Sequence, residues 1–251
     1  MNNKLYRPVI VRKEVDDEHF YFVDGKFTPG VTTILDETLP MPFALRQWIG
    51  DVGNDRAQAK LEKAGDRGTL LHDTFEQLMN GVEIKLHENF PKKSDQKCVV
   101  GFINWFNEVK PVYDTENIEF TVASQLGFAG TLDLLCKIGD EWVVVDFKSS
   151  GGIYDSHKLQ ITAYSQAVFE MMGIQPKRMI VHLTPRAKKG YTIYGEEKMK
   201  IAGKEITKDD FMAVFNLYLV LNGGEAPEPD LTEIYPETVK LFEWKEKYGK
   251  D

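Results

Sequence analysis

The continuous apolar run Trp142-Val143-Val144-Val145 predicts a central strand, and Asp146 and Lys148 follow it directly. A strand without polar alternation is typical of a sheet that is covered on both faces. A carboxylate at the end of such a strand loses hydration and needs a partner. The run therefore predicts a sheet between helices, with a functional group at the end of its central strand.

The surrounding residues predict a mixed α/β fold. A helical pattern over residues 95–109 precedes three strands, over residues 118–125, 130–138 and 141–147. A second helix is predicted over residues 157–172, and a fourth strand follows it at residues 179–183. One mixed sheet flanked by helices accounts for this order better than two separate domains do.

The composition excludes several classes of protein. Apolar residues make up 42% of the chain and charged residues 28%, which is typical of a folded soluble domain. Cys98 and Cys136 are too few for a disulfide framework, a four-cysteine zinc site or a cysteine-ligated iron–sulfur cluster. No apolar run reaches the roughly 18 residues of a membrane helix, and the N-terminal residues lack a secretory signal. We expect a cytoplasmic protein without a membrane partner.

The net charge of −8 argues at first against a nucleic-acid partner, because phosphate binding usually requires a basic surface. The charge is unevenly distributed, however. Residues 177–204 carry a net charge of +6, and the other residues carry −14, of which −4 lies in the acidic tail over residues 223–251. The total therefore does not exclude a phosphate-rich partner.

Asp133 and Asp146 are placed symmetrically about the predicted turn Gly139-Asp140. Pairing of the two strands around this turn brings both carboxylates side by side on one face of the sheet, and alternation points Lys148 to the same face. Adjacent carboxylates repel each other unless a proton or a cation lies between them. Two such ligands beside an ammonium group suit phosphodiester hydrolysis with a divalent ion. A structural Asp–Lys ion pair is the alternative.

The segments Gly130-Thr131-Leu132-Asp133 and Asp146-Phe147-Lys148 resemble motifs II and III of the PD-(D/E)XK nuclease superfamily. Arg67-Gly68-Thr69-Leu70-Leu71-His72 and Gln160-Ile161-Thr162-Ala163-Tyr164 are similar to the G-T-x-x-H and Q-x-x-x-Y motifs of its RecB-like branch. Residues 31–48 are similar to the mitochondrial genome maintenance exonuclease and its phage-encoded relatives. The resemblance spans roughly residues 30–185.

The resemblance implies a restriction-endonuclease-like core, which is a central mixed sheet between helices, with an N-terminal helical extension. It implies one or two Mg²⁺ or Mn²⁺ ions and no iron–sulfur cluster. Lys148 would position the attacking water, Gln160 would support the region of Lys148, and Tyr164 would contact DNA. The implied metal ligands are His72, Asp133, Asp146, the Phe147 carbonyl and Glu119.

Several of these residues have an alternative interpretation that involves no site. A histidine between Leu71 and Phe75 is often a core residue, although a neutral imidazole is also a metal ligand. Gln160 and Tyr164 share a helix face at i, i+4 spacing, which is often only a polar surface. Glu119 can be an ordinary strand charge.

A DNA-binding surface is expected around the basic loop over residues 185–190, for which a solvated charge run is the alternative. Arg67 is expected to bind a terminal phosphate. Trp48, near Phe43, is expected to stack against an unpaired strand, although aromatic residues at helical spacing are often core. The predicted DNA-binding residues are Arg67, Ser149, Ser150, Arg178, Arg186, Lys188, Lys189 and Trp48.

The expected function is a metal-dependent exonuclease acting on single-stranded or free-ended DNA in replication, recombination or repair. A bacterial or phage-infected cell is the expected setting, with a single-strand annealing or replication protein as partner, and the oligomeric state stays open. One alternative is a double-strand-end exonuclease of the phage lambda type. The other alternative is a catalytically inactive nuclease-like DNA-binding module.

We expect a single domain over residues 1–251. Gly65 and Gly68 interrupt a helical pattern over residues 54–79, so two helices are predicted there, the second starting near Asp66. The expected parts are an N-terminal hairpin and helical extension over residues 1–65, a catalytic core over residues 66–185, and a basic hairpin (residues 191–201), helix (residues 211–221) and acidic tail within residues 186–251.

Overall fold

The computed structural model describes residues 5–15 and 18–229. The N-terminal elements are β1 (Ile10–Val15), β2 (Glu18–Val23), β3 (Lys26–Thr28), α1 (Val31–Thr38), α2 (Phe43–Val52) and α3 (Asn54–Met79). The middle of the chain forms α4 (Leu86–Asn89), α5 (Lys93–Val109), β4 (Ile118–Ser124), β5 (Phe128–Ile138) and β6 (Glu141–Lys148). The remaining elements are α6 (Asp155–Met172), β7 (Lys177–Leu183), β8 (Tyr191–Tyr194), β9 (Lys200–Ile201), β10 (Lys204–Glu205) and α7 (Lys208–Leu221).

A five-stranded mixed sheet forms the centre of the fold, in the order β4-β5-β6-β7-β8. Strands β6 and β7 are parallel and are connected through α6, as parallel neighbours require a crossover. The other neighbouring strands of this sheet are antiparallel. The predicted mixed sheet between helices is therefore confirmed.

The sheet is covered on both faces. Leu135 and Val144 belong to a core shared with α1, α6 and α7, whereas Leu134 and Val145 belong to a core shared with α3 and α5. Val144 and Val145 are fully buried on opposite sides of the same strand. This burial confirms the prediction of a doubly covered central strand.

The strands β1, β2 and β3 form a separate antiparallel sheet that packs against β4 and β5. Tyr21 and Val23 bury their side chains against Ala123 and Ala129. The turn Asp24-Gly25 adopts φ values of 50° and 80°, as tight hairpin turns between twisted strands require. The predicted N-terminal hairpin is therefore confirmed, and it is fixed to one end of the central sheet.

Helix α3 is one continuous element of 26 residues, so the prediction of two helices is wrong. A mid-helix glycine costs about 1 kcal/mol relative to alanine, but tertiary contacts outweigh that cost here. Leu71 and Phe75 are buried and anchor the C-terminal half, whereas Ala57 is the buried residue of the half that precedes Gly65. The expected boundary between residues 65 and 66 lies inside this helix.

The predicted hairpin over residues 191–201 is also wrong. Strand β8 pairs with β7, and β9 pairs instead with β10. The basic loop, residues 184–190, therefore connects β7 to β8. The predicted helix begins at Lys208 rather than at residue 211, and residues 230–251 of the acidic tail lie outside the described residues. Among the helices that are described, none combines the length and the apolar character needed to cross a membrane.

Candidate metal centre

Glu119, Asp133 and Asp146 occupy a row across the adjacent strands β4, β5 and β6. The register pairs Leu134 with a residue of β4 on one side and a residue of β6 on the other. The next position along β5, Asp133, therefore lies between Glu119 and Asp146. Continued by one position from the pair Leu134–Val145, the register places the two aspartates opposite each other, as the turn predicted, and Glu119 extends the row to a third strand.

The sheet is irregular at this row. Leu132 and Leu134 belong to cores on opposite faces, so strand β5 changes its alternation at Asp133. Glu119 has φ +48°, a left-handed conformation that costs an L-residue about 1–2 kcal/mol. The regular alternation behind the predicted shared face therefore does not hold here. The backbone N–H of Phe147 donates to Asp133 Oδ2 at 2.5 Å and holds this carboxylate against β6.

Helix α3 brings His72 to the same row. Burial of Leu71 and Phe75 fixes the orientation of the helix, and the side chain of His72, which is 29% exposed, faces the sheet edge. Its Nδ1 lies 3.3 Å from Asp133 Oδ1. His72, Glu119 and Asp133 each offer a ligand atom, and these atoms lie within 4.8 Å of one another. The geometry matches a cation site built from one imidazole and two carboxylates.

Asp146 has one satisfied oxygen and one unsatisfied oxygen. The ammonium group of Lys148 donates to Asp146 Oδ1 at 3.0 Å. Asp146 Oδ2 is buried and has no hydrogen-bond partner among the described residues. Leaving a buried acceptor unpaired costs about 1–3 kcal/mol, so such an atom calls for an explanation.

Burial and neighbouring charges shift the pKa values of the three carboxyl groups in different directions. Burial raises the pKa of Asp146 to about 6 and that of Glu119 to about 7, and the charge of Asp133 adds to both shifts. Burial acts on Asp133 too, but the pKa of Asp133 is lowered because His72, Lys148 and the backbone N–H of Phe147 together outweigh burial. With a pKa of about 7, Glu119 retains a proton part of the time at neutral pH, whereas Asp146 is largely ionised, and a bound cation would displace the proton on Glu119.

Gln160 and Tyr164 do share one face of α6, but they support packing. Gln160 Nε2 donates to the Tyr164 hydroxyl at 3.1 Å and to Thr32 Oγ1 at 3.3 Å. Tyr164 is 3% exposed and lies so close to Gly130 that a Cβ there would approach its Cε1 to 2.5 Å. Gln160 therefore bonds to Tyr164 and Thr32 and not to Lys148, and the contact of Tyr164 with DNA stays a prediction.

Arg67 fixes the loop that follows Lys148, and its guanidinium is bonded within the protein. Its Nε pairs with Asp95 Oδ1 at 2.6 Å, and its Nη1 donates to the Ser149 carbonyl at 3.1 Å. The Ser150 carbonyl accepts from His182 Nε2 at 2.8 Å. Ser149 and Ser150 thus have their carbonyl groups held towards the protein. No motif in the sequence distinguished His182, because its role depends on a partner 32 positions away.

Arg178 was predicted to bind DNA, and that prediction is wrong. The residue is buried, and its Nη2 pairs with Glu196 Oε2 at 2.6 Å while its Nη1 donates to Thr162 and to the Ile206 carbonyl. The guanidinium therefore joins β7 to the segments before α7. A sequence count of charges does not distinguish a buried ion pair from a basic surface.

The other predicted DNA-binding residues are more accessible. Arg186 and Lys188 are exposed in the basic loop, whereas Lys189 pairs with Glu108 at 2.7 Å. Trp48 is half-buried on α2, and Lys60 Nζ lies 5.6 Å from the centre of its ring. Trp48 is not a core residue, because α2 contains no buried residue.

The comparisons with known proteins identify no family for the chain. No family model matches it, and no curated protein is similar to it. Among solved structures, a candidate exonuclease from Eubacterium rectale is similar with 11% identity and a TM-score of 0.39. That likeness covers 73% of this chain and 80% of the other. A likeness at this level assigns no function.

Proposed function

We propose that the protein is a metal-dependent DNA nuclease of the RecB-like branch of the PD-(D/E)XK superfamily. The observation that carries the proposal is the unpartnered Oδ2 of Asp146, which is buried beside Asp133 while Lys148 binds the other oxygen. Paired carboxylates in a buried row are costly without a compensating cation. A binding module without catalysis would not need them facing a polyanion.

The residues present fit a divalent cation. Carboxylate oxygens with one imidazole suit Mn²⁺, and carboxylates with a backbone carbonyl suit Mg²⁺. When bound, one or two such ions would polarise the phosphate and lower the pKa of water. The proposed ligands are His72, Glu119, Asp133, Asp146 and the carbonyl oxygen of Phe147.

Lys148 is the proposed catalytic residue of the chain. Its ammonium group has three N–H donors, and Asp146 Oδ1 accepts one of them. The other donors can orient the attacking water and neutralise the negative charge that develops on the phosphate. Because Lys148 ends β6 directly after the buried residues 143–147, its position relative to the carboxylates is rigid.

A helical arm supports an exonuclease that acts on a single-stranded or free-ended substrate. We define the arm as α2, which contains no buried residue, together with residues 54–66 of α3, which are exposed apart from the buried Ala57. It presents Phe43, which is 73% exposed, and Trp48, with Lys60 beside it. Aromatic groups among cations suit unpaired bases. We propose residues 66–185 as the catalytic core and replication, recombination or repair as the process.

The test is digestion of DNA that carries a label at either the 5′ or the 3′ end, offered single-stranded, blunt or nicked. We expect release of short products from a free end with Mg²⁺ or Mn²⁺ and none with EDTA. Cleavage of blunt ends by a closed trimer would favour the lambda-type alternative. Binding of DNA without cleavage under any metal would contradict the proposal and support the inactive module.

A further inference from the structure

Arg12 lies at the rim of the candidate metal centre, although it belongs to the N-terminal sheet. Its Nη1 is 3.8 Å from Glu119 Oε2 and 3.5 Å from Thr131 Oγ1. Its Nη2 lies 2.9 Å from His19 Nε2. The side chain is 28% exposed and that of Glu119 is 32% exposed, so solvent reaches both partners of this contact.

Packing of the N-terminal sheet determines this position. Arg12 pairs with Tyr21 across β1 and β2, and the Tyr21 hydroxyl lies 3.1 Å from Thr131 Oγ1. Tyr21 is also buried against Ala129 on β5. Two residues of the small sheet therefore meet at the side chain of Thr131, two positions before Asp133. The guanidinium is held next to the site by buried contacts and not by surface charge alone.

The contacts of Arg12 leave most of its hydrogen-bonding capacity unused. A guanidinium has five N–H donors in a planar fork that matches the oxygens of a phosphate. Among the described residues, Arg12 donates at short distance to His19 alone, and its contacts with Glu119, Glu14 and Thr131 are 3.5 Å or longer. Arg178, by comparison, makes close contacts with Glu196 through two of its nitrogen atoms.

We propose that Arg12 contacts a phosphate of the DNA strand held at the candidate metal centre. The N-terminal sheet then supplies part of the active site, and its docking on β4 and β5 serves substrate binding. The guanidinium donates to a non-bridging phosphate oxygen, beside the carboxylate row that holds the cation. This inference rests on the proposed nuclease function and adds a substrate contact to it.

The test compares Arg12→Gln and Arg12→Lys with the control Lys13→Gln. Lys13 is the next residue on β1, on its opposite face, where its Nζ lies 4.9 Å from the Phe22 ring centre. Affinity for a single-stranded oligonucleotide is measured over a range of salt, with Ca²⁺ at concentrations where no cleavage is detected. We expect Arg12→Gln to weaken binding about tenfold and to reduce the slope of log Kd against log salt by about one. Arg12→Lys should retain the slope, and Lys13→Gln should resemble the wild type.

Two outcomes would overturn the inference while the proposed function stands. In the first, the wild type cleaves DNA and Arg12→Gln binds it with the same affinity and slope as Lys13→Gln. In the second, Arg12→Gln changes the calorimetric affinity for Mn²⁺ alone and leaves the salt slope unchanged, which would mean that Arg12 only holds Glu119. A wild-type protein that neither binds nor cleaves DNA would contradict both the proposed nuclease function and the proposed contact of Arg12. Circular dichroism melting of each variant, with Arg12→Lys as the milder change, excludes loss of fold as the cause.

Discussion

The ammonium group of Lys148 and the carboxylate of Asp146 form an ion pair that leaves one carboxylate oxygen buried and without a partner in the described part of the chain. Only one of the two oxygens is therefore neutralised by the protein itself. The adjacent Asp133 makes the deficit larger, since its carboxylate is ionised beside His72. The pair is balanced only when a further positive charge is present.

Asp146→Asn should remove metal binding and cleavage while keeping the fold. The amide is isosteric and can still accept from Lys148, but it lacks the charge that a divalent cation requires. We expect a loss of activity of about a thousandfold or more. Mn²⁺ should raise the Tm of the wild type and leave that of the variant unchanged. Retention of both activity and the Mn²⁺-induced shift would remove Asp146 from the proposed ligand set.

Stability without metal should fall as the pH rises, and Asp146 should account for part of the fall. Burial raises the pKa of Asp146 to about 6 from its ordinary value of 3.8. The folded state therefore binds more protons than the unfolded state between these values, and stability is lost as the pH rises through this window. In EDTA, the Tm of Asp146→Asn should exceed that of the wild type by an amount that grows from about pH 4 to about pH 6 and then levels off. A difference that is constant across this range would contradict the assignment.

Lys148→Met should abolish cleavage but leave metal binding in place. The ammonium group is proposed to orient water and stabilise charge, which contributes about 10²–10⁴-fold to the rate. Calorimetry should still detect Mn²⁺, since none of the proposed ligand atoms is removed. The matched control is Lys158→Met, at a lysine that pairs with Asp155 outside the carboxylate row. Full activity in Lys148→Met would show that this lysine has no catalytic role.

His72→Gln should weaken metal binding without abolishing it. The imidazole Nδ1 lies 3.3 Å from Asp133 Oδ1, where it can serve as one ligand among several. We expect Mn²⁺ affinity to fall about 10–100-fold and activity to recover partly at high Mn²⁺. The variant His182→Gln is the control, because His182 contacts the Ser150 carbonyl and none of the proposed ligands. Equal metal affinities in the two variants would place His72 outside the site.

Arg178→Ala should affect stability, whereas Arg186→Gln should affect DNA binding. Removal of Arg178 leaves Glu196 without its buried partner. Because Glu196 is itself partly exposed, we expect the free energy of unfolding to fall by about 2–3 kcal/mol. Arg186 is exposed in the basic loop, so its loss should weaken DNA binding at all sequences and reduce the salt slope by about one. Both variants are measured by denaturant unfolding and by salt-dependent DNA binding. We expect the free energy of unfolding to fall in Arg178→Ala and the DNA affinity to fall in Arg186→Gln.

The carboxylate row could be predicted from the sequence because the patterns that indicate it involve residues close together in the chain. The apolar run before Asp146 predicted a buried strand, and Val143, Val144 and Val145 are buried. The equal distances of Asp133 and Asp146 from the turn predicted two opposed carboxylates, and the pairing of β5 with β6 agrees with that placement. Glu119 was harder to assign, because its left-handed conformation and its place opposite Asp133 depend on strand pairing.

The errors concern residues whose environment is set by distant parts of the chain. Gly65 and Gly68 have a modest local cost that the rest of α3 outweighs, so the helix is not broken. Arg178 is a base within a basic segment, yet Glu196 neutralises it in a buried pair. Arg12 belongs to no motif, and only the docking of β1 brings it to the site. Local patterns carry no information about such contacts.

The continuity of α3 gives the molecule a mechanical property. Asn54 at the exposed end and His72 at the buried end are 18 residues apart on one helix, a separation of about 27 Å. The buried side chains of Leu71 and Phe75 anchor the C-terminal half of the helix, and the arm extends from that half. Because the helix is continuous between them, the direction of the arm and the orientation of the His72 imidazole beside Asp133 are fixed together.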